Sequence, residues 1–205
     1  MTTLPQSPPA LKKQKATKRP KPPKMPQPKL LTFADYARLT PPDSGNYELH
    51  NGKIIYMPSP LDSHQEISIA LSARLYLYVL THKLGKVLAA PMDTIFTPND
   101  TVQPDILFVS TEKLKIINRQ VKGAPDLVVE IVSGGNTPKE MSYKKHLYEA
   151  SGVREYWLIH PIKKTLTQYE NIEGEFFVKN VANTEGVILS IAVEGFELKL
   201  SDIFA

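Results

Sequence analysis

The segment APDLVVEIVSGG, residues 124–135, sets Glu130 between Val129 and Ile131 in a short β-type run. Side chains alternate along a strand, so Asp126, Val128, Glu130 and Val132 share one face while Leu127, Val129 and Ile131 share the other. An unpaired carboxylate in such an apolar strand costs several kcal/mol, and Glu130 therefore needs a cation, a hydrogen-bond donor or a raised pKa. A metal ion meets that need if a second acid reaches it. Asp126 is on the same face but about 13 Å along the strand. A neighbouring strand is only about 4.8 Å away, and VQPDILFV supplies Asp105 at the start of an apolar run. Two carboxylates on adjacent strands, completed by water, suit Mg²⁺, with Mn²⁺ as its substitute.

A lysine completes the chemistry. Thr137 can cap a following helix, Pro138 fits its first position, and Met141, Lys144, Tyr148 and Ser151 fall on one of its faces. Lys144 can thus point back over the strand towards Glu130, neutralising the site and holding a phosphate or polarising a water. The alternative is a surface pair of Glu140 with Lys144, worth a few tenths of a kcal/mol. His64 is a candidate phosphate donor or base, or simply a neutral histidine at a helix start; Asp93 is either a further ligand or a strand-end acid facing water. Trp157 reads as core. Gly134 and Gly135 make no phosphate loop, because no lysine and hydroxyl follow at the required spacing. Ser133 lacks a nucleophile-elbow context.

The elements that must position these groups follow in order. LTFADYARL, capped by Thr32, starts a helix that Pro41 and Pro42 end. YELHNGKIIYM reads as a hairpin turning at Asn51-Gly52, with Glu48 on its first strand. Ser63 to Glu66 has capping-box spacing, and Ile67, Leu71, Leu75, Tyr78 and Val79 continue a long helix over 62–84 up to Gly85. Residues 87–96 and 102–109 read as two strands separated by a turn at Pro98-Asn99-Asp100. A short helical connection over 111–118, the strand EYWLIHP and further β-type runs complete the chain, which shows no internal repeat.

Composition limits the classes. The 205 residues are 41% hydrophobic, enough for one domain with a core. With no cysteine, disulfides, thiolate catalysis and Cys-ligated zinc are excluded. No apolar run reaches membrane-spanning length and no signal-peptide core is present, which leads to the expectation of a soluble cytoplasmic protein. Residues 1–29 hold eight Lys and Arg, no acid and eight of the 18 prolines, leaving 17 bases against 21 acids in residues 30–205. The reading is a disordered Lys/Pro-rich tail over 1–29, able to attract nucleic acid in a salt-sensitive way or serving as a solubilising tail, and a folded domain over 30–205.

The segments YELHNGKIIYMPSP, VQPDILFVS, GAPDLVVEIVSGGNT, KKHLYEASGVREYWLIHP and the closing DIF, with His64 between the first two, resemble the Uma-type family of restriction-endonuclease-like proteins common in cyanobacteria. That family has the fold of the PD-(D/E)XK nuclease superfamily. The resemblance implies an α/β domain with a restriction-endonuclease-like core, a central mixed β-sheet flanked by helices, an extra N-terminal hairpin and extra C-terminal strands. It implies a Mg²⁺-dependent endonuclease acting on DNA, with Asp105, Glu130 and Lys144 catalytic and with Asp105, Glu130 and Glu48 holding metal. A homodimer is compatible with it. The superfamily lysine expected two residues after the glutamate is replaced by Val132, and the family's helix lysine falls on Lys144. Glu140 and His160 stand where relatives commonly carry Asp. The competing class is a nucleic-acid-binding or partner-dependent protein that keeps the fold without turnover.

Overall fold

The computed structural model describes residues 29–40, 47–135 and 137–204. Almost all of the expected tail, 1–29, lies outside them. Helix α1 (Phe33–Leu39) is capped by Thr32, whose side chain and that of Asp35 bond each other's backbone N–H groups. Strands β1 (Tyr47–His50) and β2 (Lys53–Tyr56) form the expected hairpin, with Asn51 and Gly52 at positive φ. Helix α2 (Asp62–His82) starts without a side-chain cap, so Ser63 and Glu66 lie within the helix rather than forming a capping box. It ends at Lys83 in the left-handed conformation, two residues short of the expected Gly85 stop. Gly85 opens the next strand, where a Cβ would sit 2.1 Å from the Val109 carbonyl oxygen, so only glycine allows that approach.

The two long runs expected over 87–96 and 102–109 are four strands. They are β3 (Gly85–Ala89), β4 (Thr94–Thr97), β5 (Asp100–Val102) and β6 (Ile106–Ser110). Pro91 and Pro104 have no N–H to give a ladder, and the chain crosses between sheets at both places. A 3₁₀ turn (Thr111–Ile116) matches the expected short helical connection. Then follow β7 (Ile117–Asn118), β8 (Gln120–Lys122), β9 (Leu127–Ile131), α3 (Pro138–Ala150), β10 (Glu155–His160), β11 (Thr165–Ile172), β12 (Glu175–Asn183), β13 (Val187–Leu189) and β14 (Glu197–Lys199).

The principal sheet has the order β12-β11-β10-β9-β6-β3 and is mixed, since β9 and β10 run parallel through the crossover helix α3 while the other pairs are antiparallel. A second six-stranded sheet, β2-β1-β5-β4-β8-β7, carries the hairpin. The alternation in DLVVEIV decides the layers. Leu127, Val129 and Ile131 pack with Ile67, Leu71, Leu75 and Val79 of α2 on one side. On the other, Val128 joins Tyr148 of α3, Tyr156 and Val102 of the second sheet. Glu130 alternates with Val128 and so faces this second layer. No helix of the described residues is long and apolar enough to cross a membrane.

Candidate active site

Strands β6 and β9 pair Ile106 with Val129, and the same antiparallel register carried one step further sets Asp105 beside Glu130. Asp105 Oδ2 accepts the Ile131 N–H at 2.7 Å, closing the ladder where Pro104 begins the crossing. Its Oδ1 lies 3.0 Å from Nε2 of His64, which the first turn of α2 brings over the strand ends. His64 is 7% exposed and its Nδ1 has no partner among the described residues.

Glu130 is held from the other layer. Thr137 caps α3 through the Glu140 N–H, Pro138 occupies the first turn, and Lys144 and Tyr148 one turn apart are the buried residues of the helix. Lys144 Nζ lies 3.2 Å from Glu130 and 2.9 Å from Oε1 of Glu48 on β1. The Tyr148 hydroxyl donates to Glu130 Oε1. Glu48 also accepts the Gln103 N–H at 2.8 Å and pairs with His50 Nε2 at 2.6 Å. Of these groups Glu48, His64, Gln103, Asp105, Glu130 and Lys144 line one cleft of about 190 Å³ walled by Pro58, Pro60 and Pro91.

The electrostatics follow from three carboxylates around one ammonium. Burial pushes the Glu130 carboxyl up to about 8; Lys144 pulls it back, while Asp105 and Glu48 add to the rise. Burial also raises Glu48, but Lys144 and His50 outweigh it and hold that carboxyl below its ordinary value. Desolvation alone would lower Lys144; Glu130, Glu48 and Asp105 reverse this and keep it firmly protonated. Burial, followed by the Glu130 charge, keeps the Tyr148 phenol neutral.

Among the described residues no group of three or more His, Asp and Glu side chains is set to grip a metal ion by itself. The donor chemistry nevertheless fits a hard cation that keeps most of its waters, because Mg²⁺ takes one or two carboxylates and Asp105 and Glu130 are adjacent carboxylates at a cleft short of positive charge. Glu48, expected from the resemblance to hold metal, has both oxygens engaged by Lys144, Gln103 and His50, just as both oxygens of Asp105 and of Glu130 have protein donors.

The other candidates have other partners. Asp126, at the far end of β9, takes the Ser110 N–H at 2.8 Å and Lys113 at 2.9 Å. Asp93 does not face water as a bare strand-end acid: it accepts Gln103 Nε2 at 2.9 Å and the Tyr36 hydroxyl at 3.3 Å. Lys144 turns inward to Glu48 and Glu130, away from the surface pairing with Glu140. Trp157 is core, and its indole N–H donates at 2.6 Å to Glu155, a fully buried acid that sequence reasoning passed over. His50 and Tyr148 were also passed over as site residues. Period two from Glu48 and period four from Lys144 were the available signals.

A mixed sheet with a βαβ crossover, two acids on adjacent strands and a helix lysine above them define a restriction-endonuclease-like domain. A solved structure described as "a putative nuclease belonging to DUF820", from Anabaena variabilis, matches 85% of this chain and 97% of its own, with a TM-score of 0.70 at 20% identity. The chain belongs to the Uma2 family, whose model, described as "Putative restriction endonuclease", matches residues 33–201. A search of curated proteins finds no match.

Proposed function

We propose that the chain is a Mg²⁺-dependent endonuclease that hydrolyses phosphodiester bonds in DNA. The observation that carries this reading is the convergence of Asp105 and Glu130 from adjacent strands with Lys144 from α3 on one cleft. Asp105 and Glu130 are the residues that would hold the ion. When bound, Mg²⁺ would supply an activated water and neutralise charge on the scissile phosphate.

The chain's own residues prepare the rest. His64 and the Ile131 N–H fix the Asp105 carboxylate from two sides. Tyr148 and Lys144 fix Glu130 and offset its desolvation. An ammonium has three donors, and with Glu48 and Glu130 engaged, one remains for a phosphate oxygen or a water in the cleft. Glu48, anchored by His50 and Gln103, positions Lys144.

Cleavage assays on plasmid, linear and single-stranded DNA with Mg²⁺ and then Mn²⁺ test the proposal. Glu130→Gln keeps the shape and removes the carboxyl that would ionise to hold the metal, so it should fold normally and lose about 10³-fold or more in rate, the value of several kcal/mol of lost charge stabilisation. Wild-type protein that cuts none of these substrates, or a Glu130→Gln variant that cuts them equally well, would move the reading to a binding protein that keeps the fold without turnover.

A further inference from the structure

Helix α2 carries two apolar stripes. Ile67, Leu71, Leu75 and Val79 are buried against the principal sheet. On the outer face Ile69, Tyr76, Leu77 and Leu80 remain 66%, 51%, 60% and 58% exposed, with exposed Ala73 at the centre. At about 100° per residue these positions fall within one continuous band. Single exposed apolar side chains are ordinary, but four large ones in a row along a helix mark a surface that another surface covers. The two ends of the band carry opposite charges: Glu66 precedes Ile69 and Lys83 follows Leu80. Both are exposed, and neither side chain has an ion pair or hydrogen bond among the described residues.

Four of the five apolar positions of the band pair about a centre between Arg74 and Leu75. From Glu66 the steps are three to Ile69 and four to Ala73; from Lys83 they are three back to Leu80 and four back to Tyr76. An antiparallel copy of the helix therefore sets Ile69 against Leu80, the small Ala73 against the large Tyr76, and each charge against its opposite, with Leu77 lying over Ser72.

We propose that this band is the interface of a homodimer in which α2 packs antiparallel on α2 of a second copy, Ile69 against the partner's Leu80, Ala73 against the partner's Tyr76, and Glu66 against the partner's Lys83. Such a contact is isologous and closes on itself, so it yields a dimer and no further growth. Residues 1–29, with eight Lys and Arg and no acid, offer neither an apolar run for the band nor an acid for Lys83. One pair of helices buries less than the roughly 800 Å² per partner of a standard stable interface, so the dimer forms reversibly with concentration. The pairing covers none of the acids of the cleft. It places His64 and the partner's His64 roughly 30 Å apart along the helix axes, so each cleft stays complete within its own chain.

Sedimentation velocity on the full chain over a concentration series is the test. Wild type should shift from monomer to dimer as concentration rises, and Leu80→Ser should remain monomeric. Glu66→Lys, which sets like charges together twice per dimer, should weaken association about tenfold or more, and adding Lys83→Glu should restore it. Urea unfolding of each variant, expected to match wild type because the positions are exposed, separates lost association from lost folding. A wild-type chain that stays monomeric throughout would overturn the proposal and leave the band to a different partner. A dimer that Leu80→Ser leaves intact, or a charge reversal that the double variant does not repair, would overturn it as well.

Discussion

Replacing Lys144 by methionine keeps most of the side-chain volume and removes the one ammonium between Glu48 and Glu130. The three side chains are 3%, 2% and 5% exposed, so water cannot take over the pairing. The size of the effect follows from which carboxyls can take up a proton. Glu130, raised to about 8, is already mostly neutral at pH 7 and loses little. Glu48 is charged at neutral pH because Lys144 and His50 stabilise it. Without Lys144 it must stay charged and underpaired or take a proton, and protonation at pH 7, about 2.5 units above its ordinary value of 4.5, costs about 3.4 kcal/mol. That caps the electrostatic loss at about 3–4 kcal/mol, within the range seen when one partner of a buried pair is removed. At pH 5 the same cap is only about 0.7 kcal/mol. Urea unfolding at the two pH values checks both numbers, and Lys144→Met combined with Glu48→Gln should recover most of the loss at pH 7. A change below about 1 kcal/mol at pH 7, or an equal change at pH 5, would refute the reasoning, because either would mean that Lys144 is not holding a buried charge.

Three further outcomes are expected. Glu130 is raised from its ordinary 4.5 to about 8, so between these values the native chain holds a proton that the unfolded chain has lost; stability should fall as pH rises through that window. Mg²⁺ must displace that proton, so its affinity should climb with pH and level off above about 8, with proton release visible by calorimetry in buffers of different ionisation enthalpy; a flat profile would separate Glu130 from metal binding. Glu155→Gln should destabilise by about 2–4 kcal/mol in urea unfolding, since its carboxylate accepts from Trp157, Gln168, Ser190 and the N–H groups of Ile191 and Ala192, while the DNA cleavage rate per folded molecule stays unchanged. Asp126→Ala should lose about 1 kcal/mol with the Ser110 bond and leave cleavage nearly intact, because Asp126 lies at the opposite end of β9.

What was legible in the sequence divides by the range of the interaction. Local signals carried well: Thr32 and Thr137 cap their helices, Asn51-Gly52 turns its hairpin, and the period-two alternation assigned Glu130 its face. The four strands between Gly85 and Ser110 were read as two because a continuous β-type run looks the same whether it stays in one sheet or passes to another. Pro91 and Pro104 were the marks of the crossings. Glu155 was passed over for a related reason, since its five donors come from β10, β11 and the segment 190–192, and no local pattern encodes their meeting. The outer stripe of α2 was in plain view in the sequence. It was hidden by the stronger inner stripe, whose periodicity suffices to explain the helix.

The position of the lysine gives the site its physical logic. Two residues after Glu130, where the superfamily pattern expects lysine, stands Val132, whose N–H is taken by the Ile159 carbonyl at 2.8 Å. A lysine there would belong to the same sheet as the carboxylates it serves. Lys144 instead descends from α3 and touches Glu130 in the principal sheet and Glu48 in the second. One ammonium thereby ties the crossover helix to both sheets, and His50, on the same hairpin strand as Glu48, stacks on Tyr143 of the same helix at 4.5 Å. Glu130 and then Glu48 of the hairpin keep Lys144 protonated, so the docked hairpin contributes to the charge that tunes Glu130. The helix lysine, paired with Glu48 as well as Glu130, makes the hairpin a part of the site.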